Sequence, residues 1–143
     1  MSEVSIANSE SIKPKSVIMG VKFLYVAIII SFLRGIIVGP QIGAAEGIPF
    51  ASVVLVLIFV SAIIWLLVYK ISQAKNWARI VYLILFAIGN CATFWPLIVS
   101  VLEHPVSGLL GIVQAVLEII GMVLLFSASS NQWFKLNKVA SVD

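Results

Sequence analysis

The segment that decides the fold is FASVVLVLIFVSAIIWLLVY, which spans residues 50–69 and contains no charged side chain. A transmembrane helix needs about 20 predominantly apolar residues to cross a hydrocarbon core of about 30 Å. This segment meets that requirement without interruption. It therefore predicts a helix that spans a membrane.

Similar apolar segments on either side of residues 50–69 predict three more membrane-spanning helices. We expect the four helices at about residues 17–38, 50–69, 77–101 and 106–126. Short connections make helices that follow one another in the chain into antiparallel neighbours. The predicted fold is therefore an all-α membrane protein, a four-helix bundle with up-down-up-down topology. The polar residues 1–16 are expected to form a flexible cytoplasmic N-terminal tail, and residues 127–143 are expected to form a polar cytoplasmic C-terminal tail.

The composition supports a membrane protein and excludes several kinds of site. Apolar residues make up 62% of the 143 residues and charged residues only 10%, whereas a soluble domain is about half apolar and about a quarter charged. The net charge of +3 does not come from a basic stripe interleaved with aromatic residues, so we expect no nucleic-acid binding. A single cysteine, Cys91, and a single histidine, His104, cannot form a Cys/His metal site. We therefore predict no metal and no cofactor.

The distribution of lysine and arginine predicts the orientation of the bundle. With a cytoplasmic N-terminus, eight of the nine basic residues fall on the cytoplasmic side and only Arg34 lies near the outer side. The eight are Lys13, Lys15, Lys22, Lys70, Lys75, Arg79, Lys135 and Lys138. Cytoplasmic loops carry such an excess of basic residues. We therefore expect both termini in the cytoplasm.

Polar side chains inside the apolar segments are the candidate functional residues, because such residues usually have a partner or a role in a membrane. At 1.5 Å per residue, Glu118, Asn90 and Ser61 lie ~14–16 Å from the cytoplasmic boundary, near the bilayer centre. A second layer, ~20 Å from that boundary, contains Ser31, Thr93 and Gln114. Each layer is predicted to draw on three helices.

One face of the fourth predicted helix carries small residues. Ser107, Gly111 and Ala115 recur at intervals of four, and Glu118 continues the same face. Small residues at this spacing allow another helix to approach closely. We therefore expect Glu118 and Gln114 to face protein rather than lipid.

Two basic residues are candidates to compensate the charge of Glu118. Lys22 differs from Glu118 by about 6 Å in depth and Arg34 by about 12 Å. A lysine side chain can bridge the smaller distance, so Lys22 is the preferred partner and Arg34 is expected to extend toward the outer interface. In the structural alternative, Glu118 hydrogen-bonds to Asn90 or Ser61 and only holds the bundle together.

Two further polar regions lie outside the four segments. His104 lies in an outer loop and is expected to be solvated. The segment NQWFKLNK, residues 131–138, contains Trp133, Phe134 and Leu136. We interpret it as a short segment at the membrane interface with these three side chains in lipid, or alternatively as a docking peptide.

Local motifs resemble a broad class of small, uncharacterised four-helix bacterial inner-membrane proteins. Asn-Trp-Ala-Arg at residues 76–79 opens the third helix, and Leu-Leu-Phe at residues 124–126 is followed by Trp-Phe at residues 133–134. The resemblance implies a location in a bacterial inner membrane. It points to no particular activity.

The sequence favours an interaction protein over an enzyme, because it offers no nucleophile–base pair, metal set, phosphate-binding loop or paired carboxylates. We expect a protein that binds another membrane protein, either as a complex subunit or as an immunity protein against a membrane-active toxin. The alternative is a small oligomeric transporter or channel with a polar path through Glu118, Gln114 and Asn90. The expected partners are the lipid bilayer and another membrane protein or a second copy of this chain.

Overall fold

The computed structural model describes residues 13–139, and this part of the chain is helical and contains no β-strand. Its five helices are α1 (Lys15–Ala45), α2 (Phe50–Ser72), α3 (Asn76–Glu103), α4 (Pro105–Leu125) and α5 (Ala128–Val139). The first four are long and apolar enough to cross a membrane. The prediction of an all-α protein with four such helices is therefore confirmed. Residues 1–12 and 140–143, which belong to the predicted tails, lie outside the described residues.

The helix ends agree with the predictions except in α1. This helix continues seven residues beyond the predicted end at residue 38, to Ala45, with Pro40 inside it. Proline removes one backbone hydrogen bond from a helix, and α1 continues for five residues after it. The third helix likewise continues through position 96 to Glu103.

The four long helices pack in a ring. α1 contacts α2 and α4 most extensively, and α3 also contacts α2 and α4. Two glycines allow the close approach of α1 and α4. A Cβ atom on Gly20 would lie 3.0 Å from the carbonyl oxygen of Gly121, and one on Gly121 would lie 2.7 Å from Cδ2 of Leu24. The α1–α4 pair therefore forms the tightest part of the bundle.

A cluster of buried apolar side chains, here called the core cluster, lies at one end of the bundle. It combines the beginning of α1, the end of α2, the beginning of α3, the end of α4 and part of α5. Its members are Val17, Val21, Leu24, Ile28, Leu67, Val68, Ile71, Ala78, Tyr82, Met122, Leu125, Trp133 and Phe134.

Large apolar side chains are exposed along the rest of the bundle. Phe59 is 67% exposed, Trp95 71% and Leu102 77%. Lipid tails are as apolar as a leucine side chain, so these surfaces are suited to contact with a bilayer. Packing of protein against protein is therefore concentrated at the end that holds the core cluster.

The helix α5 is the main feature that the sequence analysis did not foresee. Residues from Ser127 onward were expected to form a polar tail, but Ala128–Val139 is helical. Trp133 and Phe134 belong to the core cluster, whereas Leu136 is 62% exposed. The interpretation that places all three side chains in lipid is thus wrong for Trp133 and Phe134, because they pack against the protein.

The segment before α1 also contacts α5. Nζ of Lys13 donates a hydrogen bond of 2.8 Å to the carbonyl oxygen of Ser72 and lies 5.7 Å from the ring of Trp133. Burial lowers the pKa of Lys13 from its ordinary value. Oγ of Ser16 lies 2.8 Å from Oγ of Ser130. The beginning of α1, the end of α2 and α5 are therefore joined at the core end.

Candidate functional site

A cavity of about 340 Å³ lies between the four long helices, next to the core cluster. Every one of these helices contributes side chains to its wall. The lining residues are Ile28, Ser31, Arg34, Val60, Ser61, Ile64, Tyr82, Leu85, Phe86, Gly89, Asn90, Thr93, Leu97, Gly111, Gln114, Ala115 and Glu118. We call it the central cavity.

The two polar layers predicted from the sequence meet in the central cavity. Its lining contains Ser61, Asn90 and Glu118 of the first layer and Ser31, Thr93 and Gln114 of the second. The structure therefore brings all six side chains to one place, as their calculated depths suggested.

Two side-chain amides lie beside Glu118. Nε2 of Gln114, one turn earlier on α4, donates a hydrogen bond of 3.1 Å to Oε1 of Glu118. Asn90 on α3 lines the same cavity as Glu118, and its Nδ2 donates to the carbonyl oxygen of Phe86 at 2.8 Å. The Glu118 carboxyl group is therefore held by α4 and faces the amide of α3.

Arg34 lies at another part of the same wall. A Cβ atom on Gly111 would lie 3.1 Å from both Cζ and Nη1 of Arg34. The guanidinium group therefore occupies the space that a side chain at position 111 would fill. Gly111 and Glu118 are seven residues apart, a rise of about 10 Å along α4. The positive and the negative side chain thus face one cavity at different levels.

Two polar atoms in this wall lack hydrogen-bond partners among the described residues. They are Nε of Arg34 and Oε1 of Gln114, and both atoms are buried. A buried polar atom without a partner costs roughly 1–3 kcal/mol. One of these atoms is a hydrogen-bond donor and the other an acceptor, and neither is accessible from the cavity.

The structure does not support the preference for Lys22 as the partner of Glu118. Lys22 is exposed and is absent from the lining of the central cavity, whereas Arg34 is part of it. The two basic residues are twelve positions apart on α1, which places them about 120° apart around the helix axis. The preference for Lys22 rested on its depth in the membrane alone, and depth does not include this rotation around the helix axis.

The predicted packing face of α4 is largely inside the bundle. Ser107 and Gly111 are buried and Ala115 is half-buried. Gly111 and Ala115 also line the central cavity. The face therefore serves both helix packing and the polar site.

A second cavity of about 260 Å³ lies next to Arg34. Its wall comes from the second half of α1, the α3–α4 connection and the first turns of α4. The lining residues are Arg34, Ile37, Val38, Gln41, His104, Pro105, Val106, Ser107 and Leu110. His104 is exposed, as expected. Arg34 is common to the walls of the central cavity and of this second cavity, which we call the vestibule.

The opposite end of the central cavity is closed by apolar packing. Ile28 and Tyr82 line the cavity and are also members of the core cluster. Both side chains are less than 10% exposed. The central cavity is therefore bordered by the vestibule at Arg34 and by a packed barrier at the other end.

Arg79 strengthens this closed end. Its side chain is only 7% exposed. Nη1 donates hydrogen bonds of 2.8 Å to the carbonyl oxygen of Leu125 and to Oδ1 of Asn131, and Nη2 donates one of 2.7 Å to Oδ1 of Asn76. These bonds join α3 to the end of α4 and to α5.

Two aromatic rings complete the surroundings of Arg79. Its Cζ atom lies 4.3 Å from the ring centre of Phe126 and 4.4 Å from that of Phe134. An arginine at such a distance over an aromatic face is attracted by the ring. We call Arg79 with its hydrogen-bond and ring contacts the Arg79 clamp. The sequence motifs at residues 76–79, 124–126 and 133–134 thus meet at one point.

Sequence reasoning missed Tyr82 as a wall residue, although a signal was present. Tyr82, Phe86, Asn90, Thr93 and Leu97 follow the spacing of three to four residues that marks one face of a helix. All five line the central cavity. Extending the face of Asn90 along α3 in both directions would have found them.

No group of three His, Cys, Asp or Glu side chains that could hold a metal ion occurs within the described residues. The thiol of Cys91 is exposed and unpaired in that part of the chain. The candidate site is thus defined by opposite charges, amides and hydroxyl groups in a cavity between helices. No protein-family model, curated protein or solved structure matches this chain.

Proposed function

We propose that this protein is a non-enzymatic multi-pass membrane protein that binds a small polar solute between its helices, as the binding stage of a transport path. The observation that carries the proposal is the convergence of polar side chains from all four long helices on the central cavity. Its volume of about 340 Å³ falls within the range of roughly 300–1,000 Å³ that is typical of ligand sites.

The cost of polar groups inside a membrane supports a binding role. Charged side chains in membrane segments usually face the interior of a bundle, where they mark binding sites or solute paths. Arg34 and Glu118 both line the central cavity, where a polar solute would contact them.

The two ends of the central cavity differ in a way that suits transport. The vestibule approaches Arg34 from the end that carries His104. The core cluster and the Arg79 clamp block the other end. A solute would enter through the vestibule, and its release on the far side would require the core end to open.

We further propose that the four long helices alternate in direction, with both termini in the cytoplasm of a bacterial inner membrane. The connections at residues 46–49, 73–75 and 104 are short, which favours antiparallel neighbours. The excess of basic residues at one end supports the orientation, and the vestibule would then open to the outer side. A C-terminal green fluorescent protein should fluoresce, since it folds in the cytoplasm. An active C-terminal alkaline phosphatase would instead place that terminus outside.

The proposed function is tested by asking whether a small polar reagent reaches the central cavity. In a Cys91→Ala background, Ala115→Cys places a thiol in the cavity wall. The matched control is Val116→Cys, the next residue of α4, which is 47% exposed on the outer surface of the bundle. We expect a small charged methanethiosulfonate to modify position 115 in membranes and to leave position 116 unmodified. The reagent reacts with thiolates, and these form in water rather than in lipid.

Equal reactivity at the two positions, or no reaction at position 115, would contradict the proposal. Modification at position 115 should also slow when Arg34 is replaced by a bulkier tryptophan, because Arg34 lies between the vestibule and the central cavity. Lys22→Trp is the matched control, because Lys22 is exposed on the same helix.

Binding of another membrane protein is a second candidate function, and one feature of α3 favours it. Residues 91–95 are five consecutive exposed positions, which together cover every side of the helix. This part of α3 therefore has little packing within the chain, and a complex subunit, a toxin or a second copy would supply it. Extraction in native lipid followed by mass measurement distinguishes the candidates. A stoichiometric second protein would support the interaction hypothesis, whereas a single protein species would favour solute binding.

A further inference from the structure

We propose that the solute is a small zwitterion that carries one carboxylate and one ammonium group, with an apolar body. This inference rests on the proposed function and names the class of its substrate. Arg34 binds the carboxylate, and Glu118 binds the ammonium group.

Two side chains of opposite charge select this chemistry. Arg34 on α1 and Glu118 on α4 line the same cavity. A guanidinium group only donates hydrogen bonds, and a carboxylate is an acceptor only. The Glu118 carboxylate only accepts hydrogen bonds, and an ammonium group is a donor only. Nε2 of Gln114 donates a hydrogen bond to Oε1 of Glu118 and so helps to hold this carboxylate in the wall as the subsite for a cation.

Solutes with a single charge fit the cavity less well. An anion would pair with Arg34 but would bring a second negative charge to the cavity that holds Glu118. A cation would leave the guanidinium of Arg34 without a counter-charge in a water-poor site, which is costly. A neutral solute would leave both charges uncompensated. A zwitterion compensates both, so its binding adds no net charge to the interior of the membrane.

The distance between the two subsites matches a short zwitterion. The levels of Gly111, beside the Arg34 guanidinium, and Glu118 differ by about 10 Å on α4. An ammonium nitrogen and a carboxylate carbon joined through one carbon atom, with a hydrogen bond of about 2.8 Å at each end, span roughly 8 Å. The flexible side chains of Arg34 and Glu118 can absorb the difference. α-Amino acids have one carbon atom between the two charged groups, so they reach both side chains after this adjustment.

The apolar part of the wall would receive the body of the solute. Val60 and Ile64 from α2 and Leu85 from α3 line the central cavity beside its polar groups. These side chains offer no hydrogen bonds. An aliphatic or small aromatic body therefore fits better than a second polar group. The inferred class is that of small apolar α-amino acids.

The test uses three probes that share one aliphatic body. Leucine carries both charged groups, 4-methylpentanoate carries only the carboxylate, and 3-methylbutylamine carries only the ammonium group. Binding to the full chain in lipid nanodiscs is measured by calorimetry. We expect leucine to bind at least tenfold more tightly than either singly charged probe, because each lost charged hydrogen bond lowers affinity roughly 10- to 100-fold. Equal affinity for leucine and one singly charged probe would overturn the inference.

Two variants assign the subsites. Glu118→Gln should remove the preference for leucine over 4-methylpentanoate, and Arg34→Gln should remove its preference over 3-methylbutylamine. Lys22→Gln is the control for Arg34, because it removes a basic residue from the exposed face of the same helix and should leave all three affinities unchanged. Arg34→Lys keeps the positive charge and should retain part of the preference for leucine over 3-methylbutylamine. This result would show that the loss in Arg34→Gln does not come from a failure to fold.

The outcomes separate this inference from the proposed function. If position 115 is accessible to the thiol reagent but leucine binds no better than its singly charged analogues, the cavity is a solute site for another class and the zwitterion inference is wrong. If position 115 is inaccessible and none of the three probes binds, both the inference and the proposed function are wrong. Tight binding of leucine that neither Arg34→Gln nor Glu118→Gln weakens would also refute the assignment.

Discussion

Replacement of Arg79 by methionine is expected to release α5 from the bundle while the four long helices remain packed. Arg79 donates three hydrogen bonds, to Leu125, Asn131 and Asn76. Hydrogen bonds from a charged group contribute about 1.5 kcal/mol each at the low end. Methionine recovers part of that sum, because no charge then has to be buried. Only the bond to Asn131 and the contact with the Phe134 ring reach α5, so we estimate a net loss of about 2 kcal/mol in the free energy that docks α5.

Hydrogen–deuterium exchange measures this loss directly. A change of about 2 kcal/mol raises the population of the undocked state about 30-fold. The amide hydrogens of α5 (Ala128–Val139) should therefore exchange about 30-fold faster in Arg79→Met, provided that exchange proceeds through undocking. Exchange in the middle of α4 (Pro105–Leu125) should remain slow, since the clamp contacts only the end of that helix.

Lys135→Met is the matched control for this experiment. Lys135 is a basic residue of α5 itself, but its side chain is exposed, so its replacement should leave exchange unchanged. Unaltered exchange in Arg79→Met would refute the reasoning that the clamp holds α5. Equally accelerated exchange in α4 would refute the conclusion that its effect is local.

Two further substitutions test the packing of the bundle, both by thermal unfolding in lipid nanodiscs. Gly121→Ala should lower the free energy of unfolding by about 1–3 kcal/mol, because its Cβ atom would lie 2.7 Å from Leu24. Gly89→Ala, where no atom lies within 4 Å, should leave stability unchanged or raise it, and a comparable loss there would contradict the packing argument. Phe134→Ala should cost about 3 kcal/mol, since the ring is only 2% exposed. The exposed Leu136→Ala should change stability by less than about 0.5 kcal/mol, so equal effects at the two positions would show that α5 is not docked as described.

The bounds of the long helices and the composition of the polar site were predictable for one physical reason. A helix rises 1.5 Å per residue, and short connections fix where each helix begins. Counting residues therefore gives the depth of every side chain. Asn90 and Glu118 could be placed at one level in this way, although 28 positions separate them, and both line the central cavity.

Rotation around a helix axis was harder to predict than depth. In α1 nearly every residue from Val17 to Val38 is apolar, so the sequence pattern does not mark which side faces the protein. Lys22 was preferred over Arg34 for this reason. The structure places Leu24, Ile28, Ser31 and Arg34 on the inner face, and the exposed Lys22 lies outside it.

The helix α5 could not be predicted because its position depends on distant residues. Its sequence is rich in serine and asparagine, which favour turns and caps over helix interiors. Its main attachments are Arg79, which is 52 positions from Asn131, and Ser16, which is 114 positions from Ser130. The sequence shows that Trp133 and Phe134 are apolar, but it does not show which distant residues pack against them.

The Arg79 clamp also has a consequence for how the chain is made. Arg79 is synthesised 46 residues before Leu125 and 52 residues before Asn131. Synthesis proceeds at about 5–20 residues per second, so several seconds pass before these two acceptors are made. A chain that stops before residue 125 never supplies them and keeps an arginine without these two partners near the beginning of the third helix. The hydrogen bonds of Arg79 are therefore complete only once the chain has been made through residue 131.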